Sequence, residues 1–161
     1  FVAIKAAMLR DEGRSVSDII AGVNEIIPRI NTSFMTINAD YLYYNGKVSR
    51  FVMNFCRTFR VHPVLAVKDG KLLAKRVFVG NYDKVYSSYV KYALKNVKNV
   101  DKELGFLTHS GCGHEMIERV EAMINERVAF DTLLVNRASA TISCNCGPQS
   151  FGVLFVEGGR L

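Results

Sequence analysis

Residues 103–120 read "ELGFLTHSGCGHEMIERV", and this stretch decides the fold class. Its first seven residues are a compact, mostly apolar run of the kind a buried strand requires. "SGCGHE" (110–115) follows as a glycine-rich turn, and behind it Met116, Ile117, Val120, Ile124 and Val128 recur at helical spacing. A strand that passes through a tight turn into an amphipathic helix belongs in a sheet protein whose helices pack on the sheet.

The neighbouring segments extend that pattern. Downstream, "DTLLVN" (131–136) and "FGVLFV" (151–156) read as strands. Upstream, a long helix is expected from about Asp83 to Val97. Before it, "HPVLAVKDGKLLAKRVFV" (62–79) is two β-rich runs joined around Asp69-Gly70, a hairpin signal. Val48, Phe51, Val52, Phe55, Cys56 and Phe59 fall at i, i+3, i+4, i+7 and form the clearest helical pattern in the chain. "TSFMTIN" (32–38) reads as a short strand, and Asp40 opens a short helix that stops at Asn45-Gly46. At the front, an Ala-rich helix from Val2 to Leu9 ends near Gly13. "SVSD" (15–18) then offers a capping box for a second helix, whose apolar face is Val16, Ile19, Ile20, Val23, Ile26, Ile27 and Ile30. Two leading helices followed by strands and helices in alternation predict an α/β protein, a mixed sheet with helices packed on its faces.

Composition bounds the function. With 161 residues, 49% of them hydrophobic and 22% charged, the chain can bury one core, or one domain plus attached helices. No stretch approaches the roughly 20 apolar residues that cross a bilayer, and no secretion signal opens the chain. The sequence starts at Phe1 inside an apolar pattern, so it reads as a fragment of a longer protein. The net charge of +6 admits an acidic partner. Its one stripe, Lys91, Lys95, Lys98 and Lys102, lacks the interleaved aromatic residues of a nucleic-acid platform, and a solvated helix flank accounts for it. No nucleic acid is expected as a partner. Four cysteines without framework spacing predict free thiols in a reducing cytoplasm.

Four stretches carry potential chemistry. Cys112, His114, Cys144 and Cys146 are allowed metal ligands, but both pairs are spaced by one residue where structural zinc sites use two to four. On an extended strand Cys144 and Cys146 would point to one side and Asn145 to the other; burial as small apolar side chains explains the cysteines equally. The turn at 110–115 could cradle a phosphate at a helix N-terminus, although it lacks a Walker lysine, and an ordinary strand-to-helix connection fits as well. Cys112 or Cys146 could act as a nucleophile if one of His62, His109 or His114 lay beside it. The fourth is "NCGPQSFGVLF" (145–155), where Gly147-Pro148 forms a rigid bend between Asn145 and an apolar strand. A polar head over an apolar floor suits an amphiphile, and so does a plain turn into a core strand.

Taken together, four segments resemble the second half of the DegV family, bacterial fatty-acid-binding proteins that include the acyl-carrying subunit of fatty-acid kinase. They are "AAMLRDEGRSVSDIIAGVNEIIPR", "FMTINADYLYYNGKVSR", "FRVHPVLAVKDGKL" and "NCGPQSFGVLF", in the family's order. The resemblance implies that residues 1–31 are linking helices leading from an N-terminal domain outside this sequence, and that 32–161 form the C-terminal lipid-binding domain. It implies a cytoplasmic carrier without cofactor or catalytic base. One long-chain fatty acid would sit with its carboxylate at the domain junction and its tail in this half. A kinase subunit would then act on that carboxylate, and transient membrane contact would accompany lipid exchange.

By the same resemblance the ligand-binding residues are Asn145, Cys146, Gly147, Pro148, Lys47, His62, Phe51 and Phe55, with Phe51, Phe55 and Phe59 lining a tunnel. The family's histidine and threonine ahead of Gly-Pro are Asn145 and Cys146 here. Its signature arginine is Lys47, its lysine before the strand proline is His62, and the last glycine of its turn is Gln149. Asparagine cannot become cationic and lysine lacks the guanidinium fork, so head-group binding would lose charge assistance at the first position and two-point geometry at the second. The rival reading is a metal- or thiol-dependent enzyme built on Cys112/His114 and Cys144/Cys146.

Overall fold

The computed structural model describes residues 1–68, 70–95 and 99–158. The leading helices are α1 (Val2–Asp11) and α2 (Val16–Ile26), followed by a 3₁₀ turn at Ile27–Arg29. Then come β1 (Ile30–Met35), α3 (Asp40–Tyr44), α4 (Arg50–Thr58), β2 (Val61–Lys68), β3 (Lys71–Val79) and α5 (Tyr82–Ala93). The chain finishes with β4 (Val100–Ser110), α6 (His114–Asn125), β5 (Thr132–Arg137), α7 (Ala140–Cys146) and β6 (Ser150–Glu157). The strands form one sheet in the order β3-β2-β1-β6-β4-β5. Neighbours run antiparallel, except that β4 and β5, on either side of α6, are parallel. The expected mixed α/β sheet is therefore present.

Local chemistry sets most boundaries as the sequence predicts. Ser15 Oγ accepts from the Asp18 N–H as the N-cap of α2 and donates to the Asp18 carboxylate. Lys68 pairs with Lys71 across the hairpin, and Gly70 has φ +71. Asp69 of the expected Asp-Gly turn lies outside the described residues, as do Val97 and Lys98. Since α5 ends at Ala93 and Lys102 is on β4, the four lysines do not form one helical stripe.

One sheet face carries the main core. Strand residues alternate between faces, and Met35, Val64, Leu107, Phe151, Val153 and Phe155 point into a core completed by α5 and α6. At its centre the Tyr89 hydroxyl, fully buried, donates to the Ser33 carbonyl at 2.7 Å and accepts from the Val153 N–H at 3.2 Å. Helix α6 turns Ile117, Val120 and Ile124 inward, as its spacing predicts.

The leading helices attach to the same body. Lys5 on α1 is buried and pairs with Asp101 at 2.8 Å and with Glu103, both on β4, while the Phe1 and Phe106 rings lie 5.4 Å apart. The apolar face expected for α2 is largely uncovered, however. Ile26 is buried, but Val16, Ile20 and Ile27 are exposed. Periodicity marks a face as apolar; burial also needs an element that reaches it.

Candidate functional site

The other sheet face is only partly covered. Thr32 and Phe34 on β1, Thr108 on β4 and Leu154 on β6 form its floor, and α7 lies over them. Between floor and helix runs an apolar cleft of about 240 Å³, with Ile142 and Cys146 of α7 as its roof. Gly152 permits the close packing of that floor. A Cβ there would stand 2.5 Å from the Ser33 carbonyl oxygen and 2.8 Å from the Phe34 Cβ.

Helix α7 was not expected from the sequence. Its seven residues are too few to establish a helical period, and Cys-x-Cys before Gly-Pro reads as a turn. The usable signal was Ser139, whose Oγ accepts from the Ile142 N–H as an N-cap. Because the segment is helical, Cys144 and Cys146 do not share a side: Cys144 is exposed and Cys146 buried. Asn145 also faces away from the cleft. It is exposed, and its Nδ2 donates to the Thr141 carbonyl at 2.8 Å, one turn back on its own helix. Cys146 and Ile142, and not Asn145, are the α7 side chains that line this cleft.

The Gly147-Pro148 bend is built as the sequence suggests. Gly147 has φ +79, a backbone state that disfavours a side chain, and a Cβ would come within 2.5 Å of the Tyr41 ring. Pro148 is exposed, and Gln149, at φ +59, donates its N–H to the Ser110 carbonyl at 2.6 Å. The Cys146 carbonyl accepts from Thr36 Oγ1 and from Ser150 Oγ, each at 2.7 Å, and so pins the end of α7 to β6 and to the residue after β1.

The remaining expected residues lie apart from the cleft. Lys47 is exposed beyond α3. His62 is buried, with Nδ1 3.0 Å from the Ile37 carbonyl and Nε2 3.1 Å from the Gly80 carbonyl, so its ring joins two loops. Phe51 is 78% and Phe55 47% exposed, so neither side chain is enclosed by the described residues. Helix α4 packs on β2 through Met53 and Cys56 and presents Phe51, Val52, Phe55 and Phe59 outward.

The thiol and metal chemistry does not assemble. Burial pushes the Cys112 thiol up to about 12, helped by nearby Cys146, and burial also raises Cys146. Thiols held protonated are poor nucleophiles and poor metal ligands. His114 is exposed beside Glu118, and among the described residues no group of three or more His, Cys, Asp or Glu is placed to hold a metal. His109, which lines the cleft, accepts the Cys112 N–H at Nδ1. Burial and then the charge of Arg137 hold its imidazole below the usual histidine range.

A mixed sheet packed against helices on one face, with an apolar cleft under a short helix on the other, defines an α/β unit built to leave part of its floor free. Residues 1–158 match the sequence profile described as "Uncharacterised protein, DegV family". The chain belongs to the DegV family. It is 28% identical over 163 residues to a DegV domain-containing protein of Caldanaerobacter subterraneus, spanning 97% of this chain and 55% of that one. The chain thus spans about half the length of the curated relatives it matches.

Solved structures show the same fold. A DegV family protein from Eubacterium eligens, loaded with heptadecanoic acid, aligns with a TM-score of 0.79 at 15% identity, over 98% of this chain and 55% of that one. A stearic acid-binding protein from Eubacterium ventriosum aligns with a TM-score of 0.73 at 18% identity, over 97% and 54%.

Proposed function

We propose that this chain is the lipid-holding half of a fatty-acid-binding protein and that the acyl tail lies in the cleft between α7 and the open sheet face. The observation that carries this reading is the cleft itself, an apolar floor of Phe34 and Leu154 under Ile142 and Cys146. Membership of a family with fatty-acid-bound relatives supports it. Each methylene transferred from water into such a cleft contributes about 0.8 kcal/mol, so a tail needs few polar contacts to be held. At about 240 Å³ the cleft is smaller than the roughly 300–1,000 Å³ of complete small-molecule sites. The remaining walls and the carboxylate partners are assigned to the part of the protein outside this sequence.

On this reading residues 1–31 link two domains, 32–161 form the lipid-binding one, and the protein carries its ligand without transforming it. A kinase subunit receives the carboxylate. Lys47 and the Gly147-Pro148 bend lie toward the head group, and the exposed aromatic face of α4 meets whatever encloses the ligand.

Lipid extraction and mass spectrometry of the full-length protein from its host test the proposal. Stoichiometric long-chain fatty acid is the expected result; protein free of lipid that also fails to take up palmitate would refute it. Residues 1–161 alone are expected to bind palmitate weakly, and tight one-to-one binding in calorimetry would show that no further walls are needed.

A further inference from the structure

A second cavity, of about 490 Å³, opens at the far end of β2, between the segment after β1, the end of α4 and the turn from β3 into α5. Its lining is rich in hydrogen-bond donors. Arg57 and Arg60 line it from the α4 side, Asn38 from the loop after β1, and Asn81 and Tyr82 from the start of α5. The Asn38 Oδ1 accepts from the Asp40 N–H at 2.8 Å and the Asn81 Oδ1 from the Lys84 N–H at 3.1 Å. Each carboxamide oxygen thus accepts from the backbone, and among the described residues neither NH₂ group donates to a protein acceptor. The N-terminus of α5, a helix of 12 residues, adds positive potential from the same side.

Arg60 is the distinctive member of this set. It has φ +51, a conformation that glycine or asparagine adopts at lower cost. Among the described residues its side chain has no hydrogen bond or ion pair, whereas Arg57 is tied to Asp40 at 2.6 Å. The walls around it are braced. The Gly80 N–H donates to the Arg60 carbonyl at 3.2 Å, and the Gly80 carbonyl faces His62 Nε2 at 3.1 Å.

We infer that this cavity is an anion site for a phosphate group, read by Arg60 and Arg57 with the amide groups of Asn38 and Asn81. Donors on three separate segments suit a tetrahedral anion with several terminal oxygens better than a planar carboxylate. The cavity is separate from the cleft under α7, because none of these four residues lines that cleft, although His62, which the resemblance places at the ligand, is one of the cavity's walls.

The test is calorimetric titration of the full-length protein with inorganic phosphate at constant pH and ionic strength, with acetate in a parallel arm. Saturable phosphate binding is expected, with acetate weaker by about tenfold or more. R60G should weaken phosphate binding by about tenfold. It should leave the unfolding midpoint without phosphate unchanged or higher, since glycine accepts this backbone state freely. R10A, far from the cavity on α1, is the control and should bind as wild type. Phosphate binding no tighter than acetate, or undiminished in R60G, would overturn the assignment.

Discussion

Helices α4 and α6 both show a clear apolar face in the sequence, and the structure treats them in opposite ways. Ile117, Val120 and Ile124 of α6 are buried against the sheet, whereas Phe51, Val52, Phe55 and Phe59 of α4 are exposed. Phe55 and Phe59 pack on each other, with ring centroids 4.8 Å apart, and α4 holds to β2 through Met53 and Cys56 instead. The contrast extends to the sheet, whose α5/α6 face carries the main buried core while the α7 face keeps a mostly apolar cleft. Apolar surface left open in a folded unit marks a place meant for something else.

The comparison can be broken most forcefully at α6. Ile124→Ala should destabilise the protein by about 2–5 kcal/mol, because it leaves a cavity in the main core. Phe51→Ala, at a position 78% exposed, should change the stability of residues 1–161 by no more than about 0.5 kcal/mol. Chemical denaturation of both variants measures the difference, and equal losses would erase the distinction between the helices. Gly147→Ala comes next, at about 2 kcal/mol or more, since it adds a clash with Tyr41 to an unfavourable backbone state. The same denaturation experiment reads it, and fatty-acid retention by the full-length variant should fall with it.

Tyr89→Phe sharpens the account of the core face. It removes the hydroxyl that serves the Ser33 carbonyl and the Val153 N–H, at a cost of about 1–3 kcal/mol. The smallest effect belongs to His109, at the end of β4. Its folded imidazole resists protonation, so the unfolded chain gains the proton first as pH falls through about 6.5. His109 therefore lowers stability on acidification and costs nothing above that range. His109→Asn keeps an acceptor for the Cys112 N–H and should show a shallower loss of stability between about pH 7.5 and 5.5. An unchanged pH profile would contradict that assignment.

Much of the fold was legible because strong local signals agreed with the tertiary structure. The 103–120 strand-turn-helix, the hairpin around Gly70 and the N-cap at Ser15 each combine a period with a specific turn or cap. Two failures have physical causes. The periods of α2 and α4 correctly identify apolar faces, but whether such a face is covered depends on distant segments and leaves no mark in the helix itself. Helix α7 is shorter than two full periods, so the directions of Asn145 and Cys146 could not be fixed. A strand reading put both thiols on one side; the helix puts Cys146 against the cleft and Asn145 in solvent. Gly147-Pro148 was legible as a bend, while the Tyr41 ring that demands the glycine is a long-range contact.

The central claim is that an acyl tail lies on the open sheet face under α7. Paramagnetic broadening by a stearate spin-labelled along its chain, bound to the full-length protein and read at methyl groups, tests it directly. The account predicts the strongest broadening at Ile142 and Leu154 and clearly weaker broadening at Val120 and Ile124, on the other side of the sheet. Sharp signals at Ile142 and Leu154 with saturating stearate bound would contradict it.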